Sequence, residues 1–270
     1  MVELCFFEEQ FWEPERARVK VPDILGLMRG LAVFETVRTY NRRPFALGEH
    51  LERIEQSARR VKLYLPLSFE EISGIIDQGI DLLGEEALVQ LFLIAGDSGP
   101  FLLILFSALP KLPAELYERG VKLLPVDFAR PFPEVKVPCR LEGYLARLED
   151  NEAFEVLYCP GGAMTEAETS NFFLVKEGML VTAPANRVLP GITRGIVLEL
   201  ASRMGIPIEE RCPRMEEIET AQEAFITGTV KEILPVVKVG TKVIGKGVPG
   251  SLTRELQIAY REEVQRRVKG

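Results

Sequence analysis

Histidine is nearly missing from this sequence: His50 is the only one in 270 residues. Four cysteines stand at 5, 139, 159 and 212, and no two form a CxxC pair. A zinc site therefore has almost no ligands to draw on, and the scattered cysteines read as reduced thiols rather than as a disulfide framework. A Ser-His-Asp hydrolase would need His50 as its base, yet His50 lies in the helix-like EHLERIEQSARRVKL with no nucleophile motif beside it. No apolar run approaches the ~20 residues of a membrane span. The opening MVELCFFEEQ has no basic segment followed by an apolar one, so no signal peptide is expected and a cytoplasmic location is. Positive charge is in deficit, with 33 Lys and Arg against 40 Asp and Glu. A net charge of -7 lacks the field that nucleic acid or anionic membrane would need, which leaves small molecules and other proteins as partners. No Walker loop is present and no GxGxxG follows a strand, so nucleotide binding is weakly supported.

What is present is an ordinary globular composition, 47% hydrophobic and 27% charged, long enough for one large domain or two modest ones. LAVFETVRTY is β-rich, and a turn at Asn41-Arg42-Arg43 returns the chain into PFAL as a hairpin. From Glu49 the apolar residues Leu51, Ile54, Ala58 and Val61 recur at helical spacing. A second helix is predicted from Ser68 to just before Gly84, and ALVQLFLIAG and FLLILFSAL read as buried central strands joined by DSGP. Pro110 and Pro113 break the pattern, which places a linker near residues 109–119, between a domain over 1–112 and another over 120–270. Beyond it, VKLLPVDFA, VLYC, NFFLVK and AQEAFITGTV read as strands. GYLARLEDNEAF, TRGIVLELASRMG and SLTRELQIAYREEVQRRVKG read as helices, with Gly205 as a C-cap and Ser251 as an N-cap. Strands and helices mix in both halves without regular alternation, so the expected class is α+β.

Three segments carry chemistry. LPGITRG puts a Pro-Gly turn before a helix, whose first N–H groups, near Ile192 and Thr193, lack partners within the helix and point outward with the positive end of the dipole. That suits a phosphate; it is equally an ordinary helix start with Thr193 near the N-cap. TEAETSNFFL places Glu166 and Glu168 before a core strand, where a carboxylate could serve a cationic ring nitrogen or act as a base, or simply be a solvated turn. In VFETVR, strand alternation puts Phe34, Thr36 and Arg38 on one face and Val33, Glu35 and Val37 on the other. Arginine on a strand face can bind a carboxylate, or be a rim residue.

The order of VFETVR, EHLERIEQSA, GYLARLE, TEAETSNFFLVKEGMLVTAP, LPGITRG, ITGTVKEILPV and PGSLTREL resembles the class IV pyridoxal-phosphate enzymes. That family includes branched-chain amino acid aminotransferase, D-amino acid aminotransferase and aminodeoxychorismate lyase. The resemblance runs from Phe34 to the C-terminus. It implies a small N-terminal α/β domain, a larger C-terminal domain, pyridoxal phosphate as cofactor, an amino acid or 2-oxo acid as substrate, and a homodimer. It assigns Glu166 to the pyridine nitrogen, Tyr144 to the ring's phenolic oxygen, and Arg53, Ile192, Thr193 and Thr229 to the phosphate. Phe34, Thr36 and Arg38 fall on the substrate side. GKGVPGSLTREL is most like the branched-chain enzymes, while Thr36 after VFE is common in the lyases.

The resemblance also places a Schiff-base lysine four or five residues before Tyr144. Here those positions hold Arg140 and Cys139. Arginine cannot substitute, because its guanidinium stays protonated and its nitrogens are delocalised. Lys136, the nearest lysine, would stand about 13 Å from Arg140 along an extended segment at ~3.3 Å per residue. Other family features have gone too: Arg29-Gly30-Leu31-Ala32 replaces the usual residues before VFE, Gln90 and Ala95 stand where arginines are frequent, and Gly143 replaces an asparagine. Two readings follow. One is a working aminotransferase or lyase with its lysine moved, Lys231 being the relocated position considered. The other is a member without the reaction that binds a phosphate- or carboxylate-bearing ligand. In the second, Arg140 is expected to pair with Glu166.

Overall fold

The structure is a computed structural model and describes residues 1–138 and 141–269. The fold is α+β, and the chain divides into two compact units. The first is built from Met1–Pro110, a short return segment beginning at Val135, and the last residues from Arg266. The second holds Lys111–Glu134 and the later chain up to Gln265.

The first unit runs β1 (Leu4–Phe7), β2 (Gln10–Trp12), α1 (Val21–Met28), β3 (Ala32–Tyr40), β4 (Arg43–Pro44), α2 (Leu47–Arg60), α3 (Phe69–Leu83), β5 (Ala87–Gly96) and β6 (Gly99–Ala108). Its antiparallel sheet has the order β2-β1-β6-β5-β3-β4. The predicted hairpin exists but is short. β4 is only two residues, because α2 already starts at Leu47 rather than Glu49. α3 follows its prediction to within one residue, with Ser68 as the N-cap rather than the first helical residue. Ser68 accepts from the Glu71 N–H while the Glu71 carboxylate accepts from the Ser68 N–H, and Gly84 ends the helix at φ 78°. β5 and β6 lie side by side as expected, but they are buried on one face only. Val89, Leu91 and Leu93 pack with Leu51, Ile54, Ile72, Ile76 and Ile80 in the core, while Leu88, Gln90 and Phe92 remain partly exposed. Gly26 is required where α1 crosses β5: a Cβ there would lie 1.9 Å from the Ala95 carbonyl oxygen.

The second unit contains α4 (Ala114–Arg119), β7 (Val121–Val126), α5 (Leu141–Glu149), β8 (Glu155–Tyr158), β9 (Glu166–Ala167), β10 (Ser170–Lys176), β11 (Met179–Thr182), α6 (Ile192–Arg203), β12 (Ile208–Glu210), β13 (Glu223–Gly228), β14 (Glu232–Val239), β15 (Lys242–Val243) and α7 (Ser251–Lys269). The segment expected to be a linker thus carries a short helix after Pro113. The sheet follows β12-β11-β10-β13-β14-β7-β8-β9, and β9 also pairs with β10, so the path closes on itself. Leu123, Leu157, Phe172, Leu174, Ile226 and Leu234 fill its core, and Phe173 stacks on Phe225 across β10 and β13 at 4.8 Å.

α6 has Gly191 at its N-cap, with Thr193 two residues on, so the N-cap residue offers no side chain to its first N–H groups. One capping expectation is corrected. Ser251 is the first residue inside α7, and the cap comes from Glu223 on β13, whose carboxylate accepts from the N–H groups of Leu252 (3.1 Å) and Thr253 (2.8 Å). A carboxylate at the positive end of a helix is favourable whichever part of the chain supplies it.

Candidate functional site

In the first unit, strand alternation on β3 sorts the residues as the sequence indicated. Phe34 stacks on Phe92 of β5 with 5.6 Å between centroids, Thr36 faces Gln90 in register, and the Arg38 guanidinium lies 4.0 Å over the Tyr40 ring. The opposite face holds a group to which the sequence assigns no role. Glu35 is fully buried and accepts from Arg53 Nε (2.7 Å) and Nη2 (2.9 Å), while His50 Nδ1 lies 2.7 Å from one of its oxygens. Arg53 and His50 are three apart on α2, about one helical turn, so both reach the same carboxylate. Burial alone would raise the Glu35 pKa; Arg53 and His50 outweigh it and hold the carboxyl far below its usual range. Burial pushes His50 below its ordinary value against the pull of Glu35, which favours a neutral imidazole. Arg53, the phosphate-binding arginine of the resemblance, is therefore oriented from behind by a bidentate carboxylate.

In the second unit, Glu166 lies on β9, where the sheet path closes. The residue is 4% exposed, and its carboxylate accepts from Arg130 Nε (2.8 Å) and from the Leu189 N–H (2.9 Å). Arg130 also donates to the Pro133 carbonyl. The sequence gives no sign of Arg130, since ARPFPE has no periodicity that assigns it a face. The expected Arg140–Glu166 pair involves a residue outside the described ones, as does Cys139. Beside Glu166, Asn171 pairs with it across β9 and β10 and donates from Nδ2 to the Leu189 carbonyl (2.8 Å). Asn171 Oδ1 would stand 2.0 Å from a Cβ at position 191, so only glycine fits at the start of α6. Asn171 is in register with Thr227, whose buried hydroxyl has no hydrogen-bond partner among the described residues. Thr227 lies in the ITGTVKEILPV segment, of which the resemblance assigns only Thr229. Ile192 and Thr193 open α6, and Thr229 occupies the turn after β13.

The remaining positions fall as follows. Tyr144 is on α5 and exposed, as are Leu141, Leu145 and Leu148. Lys231 closes the turn that carries Thr229, with Nζ donating to the buried Glu155 carboxylate, to Thr169 and to Ser170 (2.9 Å). An ammonium held by a carboxylate and two hydroxyls does not present a free amine, which counts against Lys231 as the relocated lysine. Cys159 is no nucleophile either, since burial pushes its thiol up to about 12. Among the described residues no His, Cys, Asp and Glu cluster could hold a metal, and no helix is long and apolar enough to cross a membrane.

The chain has known counterparts. The family model for amino-transferase class IV matches residues 32–239. The chain belongs to the class IV aminotransferase family. A probable branched-chain-amino-acid aminotransferase of Thermotoga maritima is 36% identical over 231 residues, covering 83% of each chain. A D-alanine aminotransferase of Bacillus licheniformis is 26% identical over 286 residues, 96% of each. Among solved structures, a putative branched-chain amino acid aminotransferase from Thermotoga maritima matches with a TM-score of 0.88 at 32% identity, covering 97% of this chain and 96% of that one. The class IV fold thus extends over nearly the whole chain, including the first unit's residues before position 32.

Proposed function

We propose that this protein binds pyridoxal phosphate and serves amino-group transfer between a branched-chain amino acid and a 2-oxo acid, as a cytoplasmic homodimer. The observation that carries the reading is the buried Glu166 carboxylate beside the uncapped α6 start. A ring nitrogen that must keep its proton needs a fixed anion, and a phosphate needs bare N–H donors. The Thr227 hydroxyl fits the same ligand, since it is a buried polar group with no hydrogen-bond partner among the described residues. Glu166 would hold the proton at the pyridine nitrogen, with Arg130 and the Leu189 N–H fixing the carboxylate. Ile192, Thr193 and Thr229 would hold the phosphate, and in the first unit Glu35 orients Arg53, the phosphate arginine of the resemblance. Phe34, Thr36 and Arg38 would face the substrate, and Tyr144 the phenolic oxygen. When bound, the cofactor supplies a protonated ring that draws electrons from the substrate's α-carbon.

The test is a titration with pyridoxal phosphate followed by visible absorbance and thermal unfolding, then an assay of L-leucine with a 2-oxo acid. Saturable binding with a raised Tm and formation of the 2-oxo product are expected. Arg140→Lys is expected to raise the transfer rate by restoring an amine where the family has one. Absence of both a spectral change and a Tm shift would overturn the reading. A monomer in sedimentation at micromolar concentration would overturn the dimer.

A second reading is favoured by one specific observation, the arginine and cysteine where the family carries lysine. In it the same pocket holds a phosphate- or carboxylate-bearing ligand without transfer, and binding without any product would select it. An aminodeoxychorismate lyase, suggested by Thr36, would be recognised by its own substrate in the same assay.

A further inference from the structure

We infer that Lys231 is a positioning residue: paired with the buried Glu155, it fixes the turn that carries Thr229, so that the phosphate end of the site keeps its place relative to Glu166. The inference rests on the pyridoxal-phosphate reading above and adds two residues to which that reading gives no part. It lies wholly within the second unit.

The turn is not held by its own residues alone. Gly228 faces Glu232 in register across β13 and β14, which leaves Thr229, Val230 and Lys231 as a three-residue connection. Such a connection commonly closes on a residue in the left-handed region, where glycine is at ease. Here that residue is Glu232, at φ 56°. A side-chain-bearing residue keeps this conformation where its surroundings impose it. Lys231, next to it, is restrained at both ends. Its carbonyl accepts from the Tyr117 hydroxyl of α4 at 3.1 Å. Its Nζ donates to the Glu155 carboxylate, to Thr169 Oγ1 and to Ser170 Oγ, the last at 2.9 Å. An ammonium has three N–H donors, and here each has an acceptor.

Those acceptors lead to the other half of the site. Glu155 is 3% exposed and also accepts from the Thr169 N–H (3.4 Å) and the Ser170 hydroxyl (3.3 Å). Thr169 lies in the turn between β9 and β10, and Ser170 opens β10. The same two strands carry Glu166 and Asn171, which face each other in register. The two turns also touch: a Cβ on Gly228 would stand 3.3 Å from the Thr169 carbonyl oxygen. One ammonium thus ties the Thr229 turn to the strands that hold Glu166. A buried ion pair gains little stability over apolar packing, but separating its partners is costly, so it holds them in one arrangement. Pyridoxal phosphate is a rigid ring that carries its nitrogen and its phosphate arm at separate positions. A site for it needs both anchors at the matching separation, kept there by the groups behind them.

The full-length protein is titrated with pyridoxamine 5′-phosphate, which has no aldehyde and so forms no lysine adduct, and inorganic phosphate is then used as competitor. Affinities are measured well below the Tm, where the folded fraction does not enter them. In Lys231→Met the Kd of both ligands is expected to rise about tenfold. Glu155→Gln combined with Lys231→Met removes the pair without stranding a buried carboxylate. It is expected to fold even where the single variant does not, and to show the same loss. A pair that served stability alone would lower the Tm and leave both affinities unchanged. Folded variants that bind both ligands within about twofold of the wild type therefore overturn the inference, as does a loss for pyridoxamine 5′-phosphate that inorganic phosphate does not share; both results leave the cofactor reading standing. No binding of pyridoxamine 5′-phosphate by the wild type overturns the two together.

Discussion

Two buried carboxylates, one in each unit, have opposite surroundings. Glu35 has no exposure and meets two side chains of a single helix, with a bidentate guanidinium on one side and an imidazole on the other. Glu166 is nearly as buried, but it is held by one arginine from a proline-rich segment and by a backbone N–H at the far side of a loop. The first arrangement is a closed ion group that stiffens the element carrying it. The second fixes a carboxylate in place with donors from irregular chain, beside a helix start with no cap. Burial of a charge therefore does not by itself mark a ligand site; what distinguishes the two is the character of the groups around it.

Breaking the first carboxylate should cost most. Glu35→Ala leaves a buried guanidinium without its counter-ion and is expected to destabilise the protein by about 3–5 kcal/mol, read from urea unfolding. A loss below about 1 kcal/mol would mean that solvent reaches Arg53. The same group sets an acid limit. Glu35 has a folded pKa below its ordinary 4.5, and His50 one below its ordinary 6.5. For both, the unfolded chain binds more protons, so stability rises with pH. It should fall as pH drops below about 6.5 through His50, and further below about 4.5 through Glu35. In Glu35→Gln the part below about 4.5 should flatten; an unchanged profile there would remove Glu35 from the account.

Arg130→Ala should cost less, about 2–3 kcal/mol, because Glu166 keeps a backbone donor. It should also behave differently: pyridoxal phosphate is expected to restore part of the lost Tm, whereas it cannot repair Glu35→Ala. Equal and unrepaired losses in both variants would erase the contrast drawn above. Gly191→Ala forces a Cβ into Asn171 and is expected to cost about 1–3 kcal/mol, with ligand affinity falling more than stability. Wild-type affinity in this variant would show that the α6 start is not a binding element. The smallest effect belongs to an exposed pair: Arg59→Ala, which loses Glu55, should change stability by under about 1 kcal/mol.

Features that depend on near neighbours in sequence were legible. The Ser68–Glu71 box, the Gly84 stop and the period-two faces of β3 are all written within a few residues. The start of α6 was legible for the same reason, because Pro-Gly before an apolar helix is a local signal. What stayed hidden was non-local. Alternation shows that Glu35 faces away from Phe34, but not that Arg53 and His50 wait on the other side. Nothing in EAFITG announces that Glu223 will cap a helix beginning at Ser251. Arg130 sits among prolines, where neither period applies, and its partner is 36 residues away.

The division of the chain has a consequence for synthesis. The first unit is not complete when its first 110 residues have emerged, because its closing contacts come from the other end. Arg43 donates to the Val268 carbonyl at 3.0 Å across 225 residues, and Arg267 pairs with Glu49 at 3.2 Å. A ribosome moving from the first of these partners to the last makes the entire second unit in between, at a pace of ~5–20 residues per second. The nascent first unit must therefore persist for roughly ten seconds or more with its β4–α2 corner unfinished. A stop codon just before Arg266 would leave that corner without Val268 and Arg267, so damage from a truncation there is expected near the beginning of the chain.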